Sequence, residues 1–286
     1  MIPAAFDYVR AGSVDQALDL IARPGAKAIA GGQSLLPLMK LRLARPETLV
    51  DIGRIEELRG VRQLDDGRLA VGALTTYAEL MESPARHYGL LRDALPDIGD
   101  VQIRNLGTVG GAIAHCDPAS DLPACLLALD AEIVIRSRRG ERSARCEGFF
   151  HGAFVTDLAP DELVTEIRLP APRDDAGSAY ISLTQPASGY SMVGVAAIVF
   201  RSDGSSSIDS ASIALTGVHE HPYRAPEVEA ALVGTDGSAD AIRAAAEHAT
   251  VGVEVNSDIH ADAAYRTAMA KVYTARAIER ALSRLG

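Results

Sequence analysis

The chain has 286 residues, with 28 Lys and Arg against 38 Asp and Glu, for a formal net charge of −10. Hydrophobic residues make up 48% and charged residues 23%, the balance of a folded chain of roughly two domains rather than a disordered one. An acidic balance argues against nucleic acid as the main partner. Cys116, Cys125 and Cys146 are too scattered for a disulfide framework, and without a C-x-x-C pair they encode neither a zinc knuckle nor an iron–sulfur cluster.

The first ten residues, MIPAAFDYVR, lack the basic start of a secretory signal. The longest near-continuous apolar stretch, Val193 to Phe200, is far below the roughly 20 residues of a membrane helix. These features predict a soluble, cytoplasmic, metal-free protein.

Ser13 to Ile21 predicts a short amphipathic helix, with Ser13 as cap and Ala17, Leu18 and Ile21 on one face. Lys27 to Ala30 predicts a strand that stops at Gly31-Gly32, Ser34 a cap for a helix through Leu41, and Leu49 to Ile52 a further strand. Val61 to Leu64 and Arg68 to Val71 flank an Asp65-Asp66-Gly67 turn. Helices are expected at Thr76 to Glu82 and Leu90 to Ile98, then a Gly-rich stretch from Asn105 to His115. Asp121 stands where it could cap the helical part of Asp117 to Leu129; Ala131 to Arg136 and Glu162 to Leu169 read as strands. Pro170, Pro172 and Asp174-Asp175 mark a linker.

The last third reads as a separate module. Met192 to Arg201 and Ser207 to Gly217 are strands around the turn residues Ser202 to Ser205. Ser238 to His248 and Ala261 to Leu285 are helical, the second placing Tyr265, Met269, Val272, Ile278 and Leu282 near one face.

Two Gly-Gly segments carry the chemistry. In Ile29-Ala30-Gly31-Gly32-Gln33-Ser34, paired glycines permit positive φ and close backbone approach, and consecutive N–H groups can cradle an anion. Gly107-Thr108-Val109-Gly110-Gly111 again sets a hydroxyl beside amides, and the pair suggests the two sides of a pyrophosphate. Neither segment is a Walker loop or a G-x-G-x-x-G. His115, Cys116 and Asp117 are adjacent, so their side chains diverge, and they are not read as a metal site. His219 and His221, around Glu220, are read as a solvated turn.

With these segments in view, AGGQSLLPLMKLRL (Ala30 to Leu43), IRNLGTVGGAIAHCDPASDLPACLLALDAEI (Ile103 to Ile133) and DELVTEIRLP (Asp161 to Pro170) resemble the FAD-binding medium subunit of molybdenum hydroxylases, the family of carbon monoxide dehydrogenase and xanthine dehydrogenase. The resemblance runs from FDYVR through PASGYSMVGVAA and covers nearly the whole chain. It implies an α+β fold: a two-subdomain FAD-binding domain of the vanillyl-alcohol-oxidase/PCMH type over residues 1–172 (subdomains about 1–56 and 57–172), and a smaller C-terminal α+β domain over 173–286.

It also implies FAD as cofactor, wrapped by Ala28, Ile29, Ala30, Gly31, Gly32, Gln33, Ser34 and Leu35 and contacted from the other side by Thr108, Val109, Gly110, Gly111 and Ala112. Asp121 would accept cofactor hydroxyls, or else merely cap its helix. Val164, or its neighbour Leu163, would lie against the isoalloxazine, and Ile98 near it or simply in the core. Tyr190 would stand beside the flavin ring, or else be an ordinary buried tyrosine opening a strand. No residue of this chain need be catalytic toward the organic substrate. Many relatives carry a Lys two residues after Tyr180, where this chain has Ser182, so a cation near the flavin would have to come from elsewhere, with Arg104 one source.

The implied function is an FAD-carrying electron-transfer subunit. It would receive electrons from a two-iron two-sulfur small subunit, beside a molybdenum-cofactor large subunit, in a dimer of heterotrimers, and pass them to an external acceptor. Two rivals remain at this stage: a free-standing flavin oxidoreductase like UDP-N-acetylmuramate dehydrogenase, and a noncatalytic assembly module.

Overall fold

A computed structural model describes residues 1–202 and 204–285; Asp203, in the expected 202–205 turn, and Gly286 lie outside the described residues. The chain opens with β1 (Asp7–Arg10), α1 (Val14–Ile21), β2 (Ala26–Ile29), α2 (Leu35–Lys40) and β3 (Thr48–Asp51). The strands form a parallel sheet in the order β1-β3-β2. Ser13 caps α1 by accepting from the Gln16 N–H, and the helix buries Val14, Ala17, Leu18 and Ile21 against Val50 and Ile52. Strand β1 escaped the sequence pattern because three of its four residues are exposed; its pairing to β3 and the reach of Tyr8 and Arg10 to Asp51 hold it.

A second layer follows: β4 (Val61–Gln63), β5 (Leu69–Gly72), α3 (Tyr77–Met81), α4 (Gly89–Ala94), α5 (Val101–Leu106), α6 (Val109–His115), α7 (Asp121–Ala128), β6 (Glu132–Ser137), β7 (Gly140–Arg145), β8 (Phe150–Gly152), β9 (Val155–Thr156) and β10 (Leu163–Leu169). Five of these strands make an antiparallel sheet, β4-β5-β10-β6-β7. Thr76 and Glu79 close a reciprocal capping box on α3. Every residue of α7 is buried, so this helix runs through the core beside Leu90, Leu91, Ile113 and Phe149.

The last third comprises β11 (Ala176–Thr184), β12 (Ser191–Phe200), β13 (Ser210–Thr216), β14 (Tyr223–Arg224), α8 (Pro226–Leu232), α9 (Ala239–Ala246) and α10 (Ala263–Leu282). Its antiparallel sheet is covered on both faces. Val193, Val195, Ala197 and Val199 join the core under α10, whereas Ala196 and Ile198 join the core of the preceding layer, where α4 and α7 pack. That two-sided burial is why β12 reads as an unbroken apolar run instead of an alternation.

Helix α10 differs from its sequence reading. It buries Arg266, Ala270, Thr274, Ala277, Ile278 and Ala281, while Tyr265 and Val272 of the expected apolar face are exposed. Small residues win because the helix lies tightly on β11: a Cβ on Gly177 would stand 2.0 Å from the Ala281 carbonyl oxygen. Apolar periodicity alone ranks Met and Tyr above Ala and misses this.

Candidate cofactor site

A cleft of about 740 Å³ lies among the end of β2, the start of α2, the N-terminal half of α6, the loop before α7 and the start of β10. Gly32 takes φ +72°, which turns the chain out of β2, and Gly31 lies so close to α5 that a Cβ would fall 1.7 Å from the Leu106 carbonyl oxygen. The two Gly-Gly segments are therefore neighbours in space. Among the described residues, the backbone N–H groups of Gly31, Gly32, Gln33 and Ser34 find no acceptor in the protein. Such a run of free amides beside a cavity is a cradle for an anion. The sequence makes Ser34 the cap of α2, but its backbone is helical and its side chain makes no capping bond.

The second segment is built differently from the turn that the sequence suggested. Gly110 and Gly111 lie in the first turn of α6, neither with positive φ, and their amides are engaged. Val109 N–H donates to Thr75 O at 3.0 Å, Gly110 N–H to Ala73 O at 2.8 Å and Gly111 N–H to Thr108 Oγ1 at 3.2 Å. Gly110 is small for packing, since its Cβ would stand 2.5 Å from Ala73 Cβ. Both segments line one cleft, where the first offers free donors and the second presents a close wall.

Of the expected residues, Ala28 to Leu35, Thr108, Gly110, Gly111, Ala112, Asp121, Val164 and Tyr190 all line the cleft, as do Leu163 and Ile98. Val109 does not; it is 1% exposed and points into the core. Asp121 is the first residue of α7 rather than its cap, which is Ser120. Its carboxyl accepts from the Tyr180 hydroxyl and, at 2.5 Å, from Ser191 Oγ. Burial pushes the Asp121 pKa up, and the two hydroxyl donors oppose that shift. Tyr190 is half exposed at the cleft's edge, not a buried strand residue.

Arg104 is spent elsewhere: its Nη1 donates to the carbonyls of Pro96, Ile98 and Gly99, at 2.9, 3.1 and 2.9 Å. Lys27, overlooked in the sequence, is the Lys or Arg that lines the cleft among the described residues; it stands four residues before Gly31 on β2. Also unforeseen were Tyr77, whose phenol burial pushes well up, and Phe154, which packs its ring 4.9 Å from that of His115. Burial lowers the His115 pKa, which favours the neutral imidazole. No sequence signal marks Phe154, which enters from the β8–β9 hairpin with φ +61°.

A cleft with a run of free amides on one side and mostly apolar walls has the chemistry to take a dinucleotide-type cofactor. The FAD-binding domain model of molybdopterin dehydrogenases matches residues 4–172, and the C-terminal domain model of carbon monoxide dehydrogenase flavoproteins matches 178–281. The chain is 39% identical to the carbon monoxide dehydrogenase medium chain of Hydrogenophaga pseudoflava, over 99% of both chains. It is 36% identical to the glyceraldehyde dehydrogenase medium chain of Sulfolobus acidocaldarius, over 98% of this chain and 99% of that one. In structure it is similar to carbon monoxide dehydrogenase from Hydrogenophaga pseudoflava (TM-score 0.95, 40% identity, all of both chains). Quinoline 2-oxidoreductase from Pseudomonas putida gives a TM-score of 0.92 at 33% identity over all of both chains.

The chain belongs to the FAD-binding medium subunits of the molybdenum hydroxylases. Its cofactor is FAD, and the free amides of Gly31 to Ser34 beside an apolar cavity fit that group's diphosphate and ring system. Full-length likeness to medium chains sets aside the free-standing flavin oxidoreductase.

Proposed function

We propose that this chain holds FAD between its two Gly-Gly segments and passes electrons from a two-iron two-sulfur small subunit to an external acceptor, beside a molybdenum-cofactor large subunit, in a dimer of heterotrimers in the cytoplasm. The observation that carries the site is the run of free N–H groups from Gly31 to Ser34 along the cleft. Those amides, with Ala28 to Ala30 behind them and Leu35 after them, would hold the diphosphate, and Lys27 would offset its charge. Thr108, Gly110, Gly111 and Ala112 would form the facing wall, with Val109 anchoring that wall in the core. Val164 and Leu163 would press on the ring system, Tyr190 would limit access to it from the rim, and Asp121 would accept a cofactor hydroxyl.

Bound FAD supplies a carrier that can take electrons singly and release them in pairs. The protein's part is to bind, orient and exclude water, so no side chain need act as acid or base on an organic substrate. Among the described residues no helix is long and apolar enough to cross a membrane. Purification from the native host should yield a flavin spectrum, one FAD per chain, with co-purifying molybdenum and iron–sulfur subunits and a mass of two copies each. A flavin-free chain in the purified complex would overturn the cofactor site, and a flavin-bearing chain without partners would overturn the assembly.

A further inference from the structure

The loop that leads into α7 is gripped by the C-terminal sheet. Gly217 N–H donates to Pro118 O at 2.7 Å, and the Thr216 hydroxyl reaches Pro118 O at 2.8 Å and Ser120 O at 3.0 Å. At the end of that loop, Tyr180 from β11 and Ser191 from β12 both donate to the same oxygen, Oδ1, of Asp121. The three residues are 3%, 2% and 7% exposed. Gly194 makes the tyrosine's reach possible, because a Cβ there would stand 2.1 Å from its phenolic oxygen.

Two donors on one oxygen fix the plane of a buried carboxyl, since turning it breaks both bonds at once. Both bonds fall on Oδ1, and among the described residues no other side chain donates to Oδ2. Asp121 lines the cleft, yet the groups that set its orientation come from the C-terminal module.

We propose that Tyr180 and Ser191 are positioning residues for the cofactor: they aim the carboxylate of Asp121 at a hydroxyl of FAD, so the cofactor site is complete only with the C-terminal module docked. The proposal rests on the assignment of Asp121 to FAD made above. FAD binding and docking are then linked, each strengthening the other by the same factor.

The test uses the assembled complex, stripped of FAD and titrated with it from about pH 5 to 8. The variants are Tyr180→Phe, Ser191→Ala, Asp121→Asn and Ser212→Ala; the last removes a bond of 2.5 Å from the same sheet to Ala128 O, at the far end of α7. The other titratable groups around Asp121 are Asp97, Tyr77, Tyr190 and Cys125, with Asp117 on its own loop, and they are the same in every variant. Tyr180→Phe and Ser191→Ala should each weaken FAD about tenfold. They should also move the acid limb of affinity to higher pH, because each removes a donor that favours the carboxylate. Asp121→Asn should abolish that limb, and Ser212→Ala should leave both affinity and limb in place.

Weak binding in Asp121→Asn with wild-type behaviour in Tyr180→Phe and Ser191→Ala would overturn the positioning roles alone. Equal loss in Ser212→Ala would do the same by reducing them to general docking. Wild-type affinity in Asp121→Asn would overturn the underlying assignment.

Discussion

Asp93, in α4, and Arg284, just past α10, meet as a two-pronged ion pair across 191 residues of sequence, Nη1 to Oδ2 at 2.6 Å and Nη2 to Oδ1 at 2.9 Å. The carboxylate also accepts from the Tyr180 N–H at 3.1 Å, and Arg284 donates to Ser178 O at 2.7 Å. One guanidinium therefore fastens residues just past α10 to β11 and to α4.

Replacing Arg284 with Ala should destabilise the chain by about 2–3 kcal/mol, below the full cost of breaking a wholly buried pair because Arg280 stands near enough to take part. Chemical denaturation should show an earlier loss of the C-terminal module. An unchanged midpoint would mean that this ion pair contributes nothing to holding the module.

Glycine substitutions should separate binding from folding. Gly31→Ala, with a Cβ driven onto the Leu106 carbonyl, should part the two segments, and Gly32→Val should strain a backbone at φ +72° by about 1–2 kcal/mol. Gly111→Val should press on the Thr108 hydroxyl. All three should lose FAD while keeping native circular dichroism, whereas Gly110→Val, which collides with Ala73, should impair folding itself. Normal flavin stoichiometry in the first three would place the cofactor elsewhere.

Glu162 at the cleft wall accepts from Arg142 Nε at 2.9 Å and Nη2 at 2.7 Å and from the Ala159 N–H at 2.9 Å. Arg142 holds its pKa below the ordinary glutamate range. The bonds' contribution is complete above the unfolded-state pKa and is lost as pH falls through the lower folded value. Arg142→Met should thus cost about 1–2 kcal/mol at neutral pH and flatten the acid limb of the stability curve. Parallel wild-type and variant curves down to low pH would contradict this.

All three cysteines are buried as free thiols, and burial pushes Cys116 to about 11 and the other two up as well. At about pH 8 a thiol reagent should label none of them in the native protein and all of them after unfolding. Rapid labelling of Cys116 in the folded chain would show that the β8–β9 hairpin opens, because its thiol donates to Gly152 O there.

The sequence by itself determined the elements with strong local signals: the Ser13-capped helix, the Gly67 hairpin, the strand over Met192 to Arg201 and the long helix within Ala261 to Leu285. It also determined the family, because motif order survives without knowledge of contacts. Strand β1 and the buried face of α10 were not legible, since exposed edge residues and packed alanines carry no periodic signal. Only the tertiary structure decided what each glycine pair does. Among the described residues, free amides at Gly31 to Ser34 and spent ones at Val109 and Gly110 look alike in sequence, because whether an N–H is free depends on carbonyls such as those of Ala73 and Thr75, supplied by the distant loop after β5. The same reason hid the partners of Asp121: Tyr180 and Ser191 lie 59 and 70 residues away, and only sheet register brings them to one oxygen.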